Sequence, residues 1–185
     1  MDNEHLAISV RRARPEDAPA LAALVNRAYE VERDFIEGDR TSAAEIERMI
    51  NKGTFLVLER GPVLAAAVYV DTPKSGDGHA RGYIGMLSVE PAVQGMGLGT
   101  RLVRIAEAMC EAMGASSVRL QIVNLREELH RWYKGLGYHE SGTLPFEGRA
   151  KQPLHFIEMR KGLVEVEDTA APVPVALVGS AAALA

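Results

Sequence analysis

The chain has 185 residues, of which 47% are hydrophobic and 25% are charged, a composition typical of a soluble globular domain. Its 21 basic and 25 acidic residues give a formal net charge of −4, which argues against a nucleic-acid-binding protein. The single cysteine, Cys110, excludes an internal disulfide and a metal cluster built from cysteines. No segment has the pattern of a signal peptide or the ~20 apolar residues of a membrane helix, so we expect a cytoplasmic protein without a membrane partner.

The chain is predicted to begin with a strand over 6–13 and an amphipathic helix over 15–30, where apolar residues recur at helical spacing. Ser42, followed three residues later by Glu45, predicts the start of a second helix that ends near Gly53. Two later helices are predicted, from Gly97 to Gly114 and over 125–136. Further segments are predicted to be strands: 54–60, 63–71, 83–89, 118–122, 137–143 and 153–160.

The most informative segment joins the predicted strand 83–89 to the helix that follows it, and it contains Gly95, Gly97 and Gly99. Glycines allow the backbone to turn tightly and a ligand to approach its N–H groups. At the start of a helix those groups have no partner within the helix, and the helix dipole favours negative charge. The segment therefore predicts a phosphate-binding loop.

The spacing of its residues argues against three other interpretations of this loop. A tight connection without a ligand accounts less well for three alternating glycines. A dinucleotide-binding fingerprint would place a glycine where the chain has Thr100. A P-loop would continue with Gly-Lys-Ser/Thr, which does not follow.

Two motifs resemble the GCN5-related N-acetyltransferase (GNAT) superfamily. Residues 89–99 match its cofactor motif with the sequence VEPAVQGMGLG. Residues 132–138, WYKGLGY, match its second signature, a helix that ends in Tyr-x-x-x-Gly-Tyr/Phe. The resemblance is strong over about 83–146 and elsewhere extends only to the order of the elements. Two motifs at the family's separation are much more specific than either one alone.

The resemblance implies an α+β fold (α/β three-layer), with a mixed, mostly antiparallel central sheet of about seven strands and about four flanking helices. In that fold a parallel pair of strands, here 83–89 and 117–123, splays apart at the cofactor site, and Gly85 is where the responsible bulge is expected. A single acyl-CoA N-acyltransferase domain is expected over 1–162. The Ala/Val/Pro-rich tail, 163–185, is expected to be disordered, with an edge strand or a dimer contact as the alternative.

The resemblance also implies acetyl-CoA as co-substrate, with its pyrophosphate on the loop and its pantetheine arm along the strand. Many family members carry an asparagine seven residues before the tyrosine of the second signature, where this chain has Arg126. The nearest asparagine is Asn124, and Asn124 and Arg126 are both candidates for binding the cofactor. The predicted cofactor-binding residues are Leu87, Ser88, Val89, Gln94, Gly95, Met96, Gly97, Leu98, Gly99, Thr100, Asn124 and Arg126.

The implied reaction is transfer of the acetyl group to a primary amine of a small molecule or peptide, by direct attack in a ternary complex and without a metal. Tyr133 is the expected catalytic residue, as the acid that protonates the sulfur of coenzyme A. The sequence does not identify the general base. The candidates are Glu30, Glu32, Asp34, Asp71 and His79, and a water relay is the alternative.

Substrate choice is expected to come from segments 29–41 and 144–152. The acidic groups of the first segment would suit a cationic amine. The protein is expected to be a monomer or a homodimer. The alternative function is a non-catalytic acyl-CoA sensor.

Overall fold

The computed structural model describes residues 7–72 and 80–163. These residues form one seven-stranded sheet in the order β1-β2-β3-β4-β5-β7-β6, in which β4 and β5 are parallel and all other neighbours are antiparallel. The strands are β1 Ile8–Arg12, β2 Thr54–Arg60, β3 Val63–Asp71, β4 Ala80–Val89, β5 Ala115–Val123, β6 His139–Pro145 and β7 His155–Gly162. The predicted mixed, mostly antiparallel sheet is thus confirmed.

Four α-helices flank the sheet in the described part of the chain: α1 Ala18–Ala28, α2 Ala43–Lys52, α3 Leu98–Ala112 and α4 Glu127–Gly135. The predicted helix over 15–30 begins instead as a 3-10 turn, Pro15–Asp17, ahead of α1. The hydroxyl of Ser42 accepts the N–H of Glu45, which confirms the predicted start of α2. The Glu45 carboxylate does not bond back to Ser42 and instead accepts the hydroxyl of Thr41, 3.0 Å away.

The helices lie on the two faces of the sheet because the side chains of each strand alternate between those faces. In β2, Phe55 and Val57 belong to the core that contains α1 and α2, while Leu56 and Leu58 belong to the core that contains α3 and α4. Burial on both faces accounts for the nearly continuous apolar sequence of the central strands. The result is the predicted arrangement of three layers.

The parallel strands β4 and β5 pair only at their beginnings. Their last paired residues are Tyr83 and Arg119, and the remainder of β4 pairs only with β3. The strands therefore separate toward their C-terminal ends and leave one edge of β4 open.

A bulge lies in β4 beside this opening. Between the pairs Ala67–Ser88 and Tyr69–Gly85, β4 has one more residue than β3. The extra residue is at Met86–Leu87, where Met86 has a positive φ of 50°. The expectation of a bulge at Gly85 is therefore wrong by one position. Gly85 has a different role, since a Cβ there would lie 2.8 Å from the Tyr83 ring.

Other predictions concern residues that the structure does not describe. Residues 73–79, between β3 and β4, and nearly all of the predicted tail 163–185 lie outside the described residues. Leu163 is described, and its N–H donates to the carbonyl of Ser116. Among the helices of the described chain, none has the length and apolar character that crossing a membrane requires.

Candidate active site

A cavity of about 610 Å³ occupies the opening between β4 and β5. The sheet supplies its floor through β4, β5 and β7, and the other walls come from the end of α1, the α1–α2 connection, the start of α3 and one face of α4. The cavity is therefore positioned by the separation of the two parallel strands, as ligand sites commonly are at breaks in a sheet.

Residues 94–100, the glycine loop, form one end of the cavity. Gly95 and Gly97 have φ values of 78° and 77°, and Gly97 directly precedes α3. A Cβ at either glycine would meet no atom within 4 Å, so these glycines are required by backbone conformation and not by crowding. Within the described chain, no N–H group from Gly95 to Thr100 donates a hydrogen bond. These donors suit an anion at the N-terminus of α3.

The open edge of β4 continues from the glycine loop. The N–H of Glu90 donates to the carbonyl of Ala65 in β3. Because successive residues of a strand direct their backbone groups to opposite sides, Val89 and Leu87 direct theirs toward the open edge. The carbonyl of Val89 accepts the side-chain amide of Gln94 at 3.1 Å, which ties the loop to the strand. The edge offers backbone groups to an extended ligand.

Tyr133 is on α4 and lines the cavity beside its neighbour Trp132. On one side its neighbour Trp132 approaches the glycine loop, since a Cβ at Gly99 would lie 3.7 Å from the Trp132 ring. Tyr133 is buried and lines the cavity, and no described residue hydrogen-bonds its hydroxyl. Burial raises the pKa of Tyr133 above its ordinary value, helped by Tyr29 and Tyr83 and opposed by Arg126. The hydroxyl therefore stays protonated across the physiological pH range.

The cavity is also lined by three charged residues, Glu32, Arg40 and Arg126, here called the charged cluster. Arg126 Nη1 donates to Glu32 Oε1 at 2.9 Å, and Arg126 also pairs with Glu128. Arg40 lies over the ring of Tyr29, 5.1 Å from its centroid. Burial raises the pKa of Glu32, against the opposing effect of the two arginines. A buried carboxylate and two guanidinium groups thus face one ligand space.

Two loops are joined beside the charged cluster. Ile36 forms a β-bridge with Ala150, the N–H of Glu37 donates to Arg149, and the N–H of Lys151 donates to Phe35. These segments belong to 29–41 and 144–152, the two that sequence analysis associated with substrate choice. The structure brings them into contact although more than a hundred residues separate them in the chain.

Most of the residues predicted to bind the cofactor line the cavity, and three do not. Ser88 is buried and donates its hydroxyl to the carbonyl of Met86. Met96 is exposed. The side chain of Asn124 accepts the N–H of His155, so it holds β5 to β7. The predicted cofactor-binding residues that line the cavity are Leu87, Val89, Gln94, Gly95, Gly97, Leu98, Gly99, Thr100 and Arg126.

Of the five candidate bases, only Glu32 lines this cavity among the described residues. Glu30 and Asp34 are exposed, and Asp71 is 3.6 Å from Lys52. His79 lies outside the described residues. Sequence reasoning did not single out Arg40 at all, because no local motif marks a side chain that acts across the fold. Over 7–72 and 80–163, no group of three or more His, Cys, Asp or Glu residues could hold a metal ion.

Comparisons with known proteins identify the class to which this fold and cavity belong. Residues 19–138 match the Acetyltransferase (GNAT) family. The chain is 28% identical over 145 residues to the N-acetyltransferase YesJ of Bacillus subtilis (strain 168), itself uncharacterized, covering 69% of this chain and 79% of that protein. The chain therefore belongs to the GNAT family, and it is an acetyl-CoA-dependent N-acetyltransferase.

Solved structures show the same fold. An acetyltransferase of the GNAT family from Streptococcus pneumoniae aligns with a TM-score of 0.67 at 20% identity, over 84% of this chain and 99% of that one. The yncA protein of Salmonella typhimurium, solved with its cofactor acetyl-CoA, aligns with a TM-score of 0.68 at 20% identity, over 91% and 99%. The predicted family, fold class and enzyme class are thus confirmed.

Proposed function

We propose that this enzyme transfers the acetyl group of acetyl-CoA directly to a primary amine of a small molecule or peptide. The observation that carries this proposal is the arrangement of the cavity. The glycine loop, the open edge of β4 and Tyr133 all line this one cavity. An anion site, a strand edge and an acid in one cavity match the chemistry of an acyl-thioester donor.

The glycine loop and β4 would hold the donor. The free N–H groups from Gly95 to Thr100 would bind the pyrophosphate, where each charge-assisted hydrogen bond contributes about 1.5–3 kcal/mol. The backbone groups of Leu87 and Val89 would bind the pantetheine arm in the manner of an added strand. Of the two weaker candidates, Asn124 is engaged by His155, and Arg126 belongs to the charged cluster.

The acceptor nitrogen must be neutral before it can react. An amine with a pKa near 10.4 is neutral in only about one molecule in a few thousand at pH 7, so its proton has to be removed to a base or to solvent. The nitrogen then attacks the thioester carbonyl, a C–N bond forms and the C–S bond breaks. The second proton leaves the nitrogen as the amide forms, and the sulfur is protonated.

Tyr133 would assist the departure of the sulfur. Because its hydroxyl is protonated and has no hydrogen-bond partner among the described residues, it is free to donate to the sulfur as negative charge develops there. A covalent acetyl-enzyme is not needed. Cys110 is on the buried face of α3, and burial raises the pKa of its thiol to about 11.

The proposal is tested by release of free coenzyme A, measured with a thiol reagent, from acetyl-CoA and a panel of primary amines and peptides. Amine-dependent release with intersecting double-reciprocal plots is the expected result. Acetyl-CoA at about 100 times its Kd should also stabilise the fold by about 2.7 kcal/mol. Stabilisation without release on any amine would favour the sensor function, and the absence of both would overturn the proposal.

A further inference from the structure

Two buried polar atoms in the charged cluster have no hydrogen-bond partner among the described residues. They are Oε2 of Glu32 and Nε of Arg40, one an acceptor and the other a donor. Buried polar groups in folded proteins are nearly always hydrogen-bonded, and leaving one unpaired is costly. Both residues line the main cavity, but these two atoms have almost no exposed surface, so a ligand that takes them as partners must displace the groups that cover them.

Arg40 offers a cationic site. It forms no hydrogen bond or ion pair with any residue in 7–72 or 80–163, although it lies over the Tyr29 ring and its charge acts on Glu32 and Tyr83. A guanidinium group has five N–H donors in a planar fork that matches the two oxygens of a carboxylate. The only carboxylate of the charged cluster, Glu32, directs its Oε1 to Arg126 instead. Arg40 is therefore available for an anion from outside the chain.

Glu32 offers the complementary anionic site. The residue is 95% buried, with a relative exposure of 5%, and its Oε1 is occupied by Arg126 at 2.9 Å. Its Oε2 accepts no hydrogen bond. An ammonium group has only donors and would complete the carboxylate. Other groups that face Glu32 from neighbouring elements are Tyr29, Arg40 and Glu128, of which only Arg40 adds positive charge.

We propose that the acceptor is an α-amino acid, whose ammonium group binds Glu32 Oε2 and whose carboxylate binds Arg40. This inference rests on the proposed function and adds the chemical class of the acceptor. A simple amine would leave Arg40 without an anion, and a simple acid would leave Glu32 Oε2 unpaired. An α-amino acid carries both charges one carbon apart, and its net charge of zero leaves the charge of the cluster unchanged.

The test compares matched acceptors at saturating acetyl-CoA. Each of a set of α-amino acids is assayed beside its carboxamide and its decarboxylated amine, with release of coenzyme A as the measurement. We expect kcat/KM for the best amino acid to exceed that of both matched compounds by about tenfold or more, the effect of one charge-assisted hydrogen bond. Equal or better rates with the amides or amines would overturn the inference while the proposed function stands. Calorimetric titration of the coenzyme A-bound enzyme with the same compounds gives a readout that does not need turnover.

The variant Arg40→Gln tests recognition of the carboxylate. It should raise KM for the amino acid by about tenfold or more and change kcat/KM for the decarboxylated amine by a much smaller factor. Arg33→Gln is the matched control, because Arg33 lies on the same connection but its exposed side chain pairs with Asp39 at 2.8 Å. This control should change neither value.

A second variant guards against loss of the fold. Arg40→Lys keeps the positive charge without the planar fork and should retain part of the preference for the carboxylate. Equal losses with acid and amine in both variants, at unchanged affinity for coenzyme A, would overturn the inference. An ordered water between Glu32 and Arg40, in the cavity of about 10 Å³ beside them, would also overturn the inference if it remained when an amino acid was bound.

Discussion

At the glycine-loop end of the cavity, the groups that face a ligand are backbone N–H groups of consecutive residues, from Gly95 to Thr100. At the charged cluster they are the side chains of Glu32 and Arg40 from the α1–α2 connection and of Arg126, which directly precedes α4. The glycine loop binds through its backbone conformation, which many sequences can maintain with the same glycines. The charged cluster binds through side-chain charge, which a single substitution can alter. The comparison suggests how one fold keeps its donor while its acceptors vary.

The largest expected effect is on kcat, when the hydroxyl of Tyr133 is removed. Tyr133→Phe retains the ring but removes the hydroxyl, so kcat should fall by about 100-fold or more, the usual contribution of a general acid. KM for acetyl-CoA should stay within about twofold, because the ring still packs between Trp132 and Tyr138. Steady-state kinetics with both substrates measures these changes, and an unchanged kcat would remove the acid role.

Tyr138→Phe is the control for that experiment. The hydroxyl of Tyr138 donates to Glu107 at 3.0 Å inside the core, and Tyr138 does not line the cavity. Its removal should lower the free energy of unfolding by about 1 kcal/mol and leave kcat unchanged.

The next largest effect tests the glycine loop. In Gly97→Ala, a side chain is forced into a left-handed conformation that costs about 1–2 kcal/mol. Relaxation of the loop would misdirect its N–H groups and raise KM for acetyl-CoA by about tenfold, with KM for the acceptor unchanged. Gly114→Ala is a matched control, since Gly114 has a φ of 85° and equally open space, away from the cavity. If both variants changed KM for acetyl-CoA alike, the loop would not be the donor site.

A smaller effect concerns pH and the charged cluster. The pKa of Glu32 is raised by burial, so its contribution to stability is present below the ordinary pKa of about 4.5 and is lost as pH rises through the raised value. Glu32→Gln cannot ionise. Wild type should therefore lose stability relative to this variant as pH rises from about 4.5 through the raised pKa of Glu32. Urea unfolding at several pH values measures the difference. A difference that moved in the opposite direction would mean that ion pairing outweighs burial at this site.

The smallest effect is expected at Cys110. Because its thiol is buried and its pKa is raised to about 11, iodoacetamide should not inactivate the folded enzyme at pH 7. Cys110→Ala should keep kcat within about twofold and lower only stability, by removing part of the core. Loss of activity in that variant, together with parallel double-reciprocal plots, would indicate an acetyl-enzyme.

Local patterns predicted much of what the structure shows. The Ser42 cap, the strands on either side of Gly61 and Pro62, and the start of α3 after Gly97 depend on neighbours a few residues away. The bulge in β4 depends on a neighbouring strand as well. Its position at Met86–Leu87 follows from how β4 aligns with β3, and no residue within β4 specifies that register alone.

The sequence by itself determined the family, the order of the elements and the glycine loop, because each of these is written in residues that are close together in the chain. Only the tertiary structure decided which charged residues face the cavity. The charged cluster forms because the α1–α2 connection, which is joined to the loop 144–152, lies against the residue that precedes α4. Burial in that place, and not sequence spacing, leaves one oxygen and one nitrogen without partners and thereby indicates what the cavity can bind.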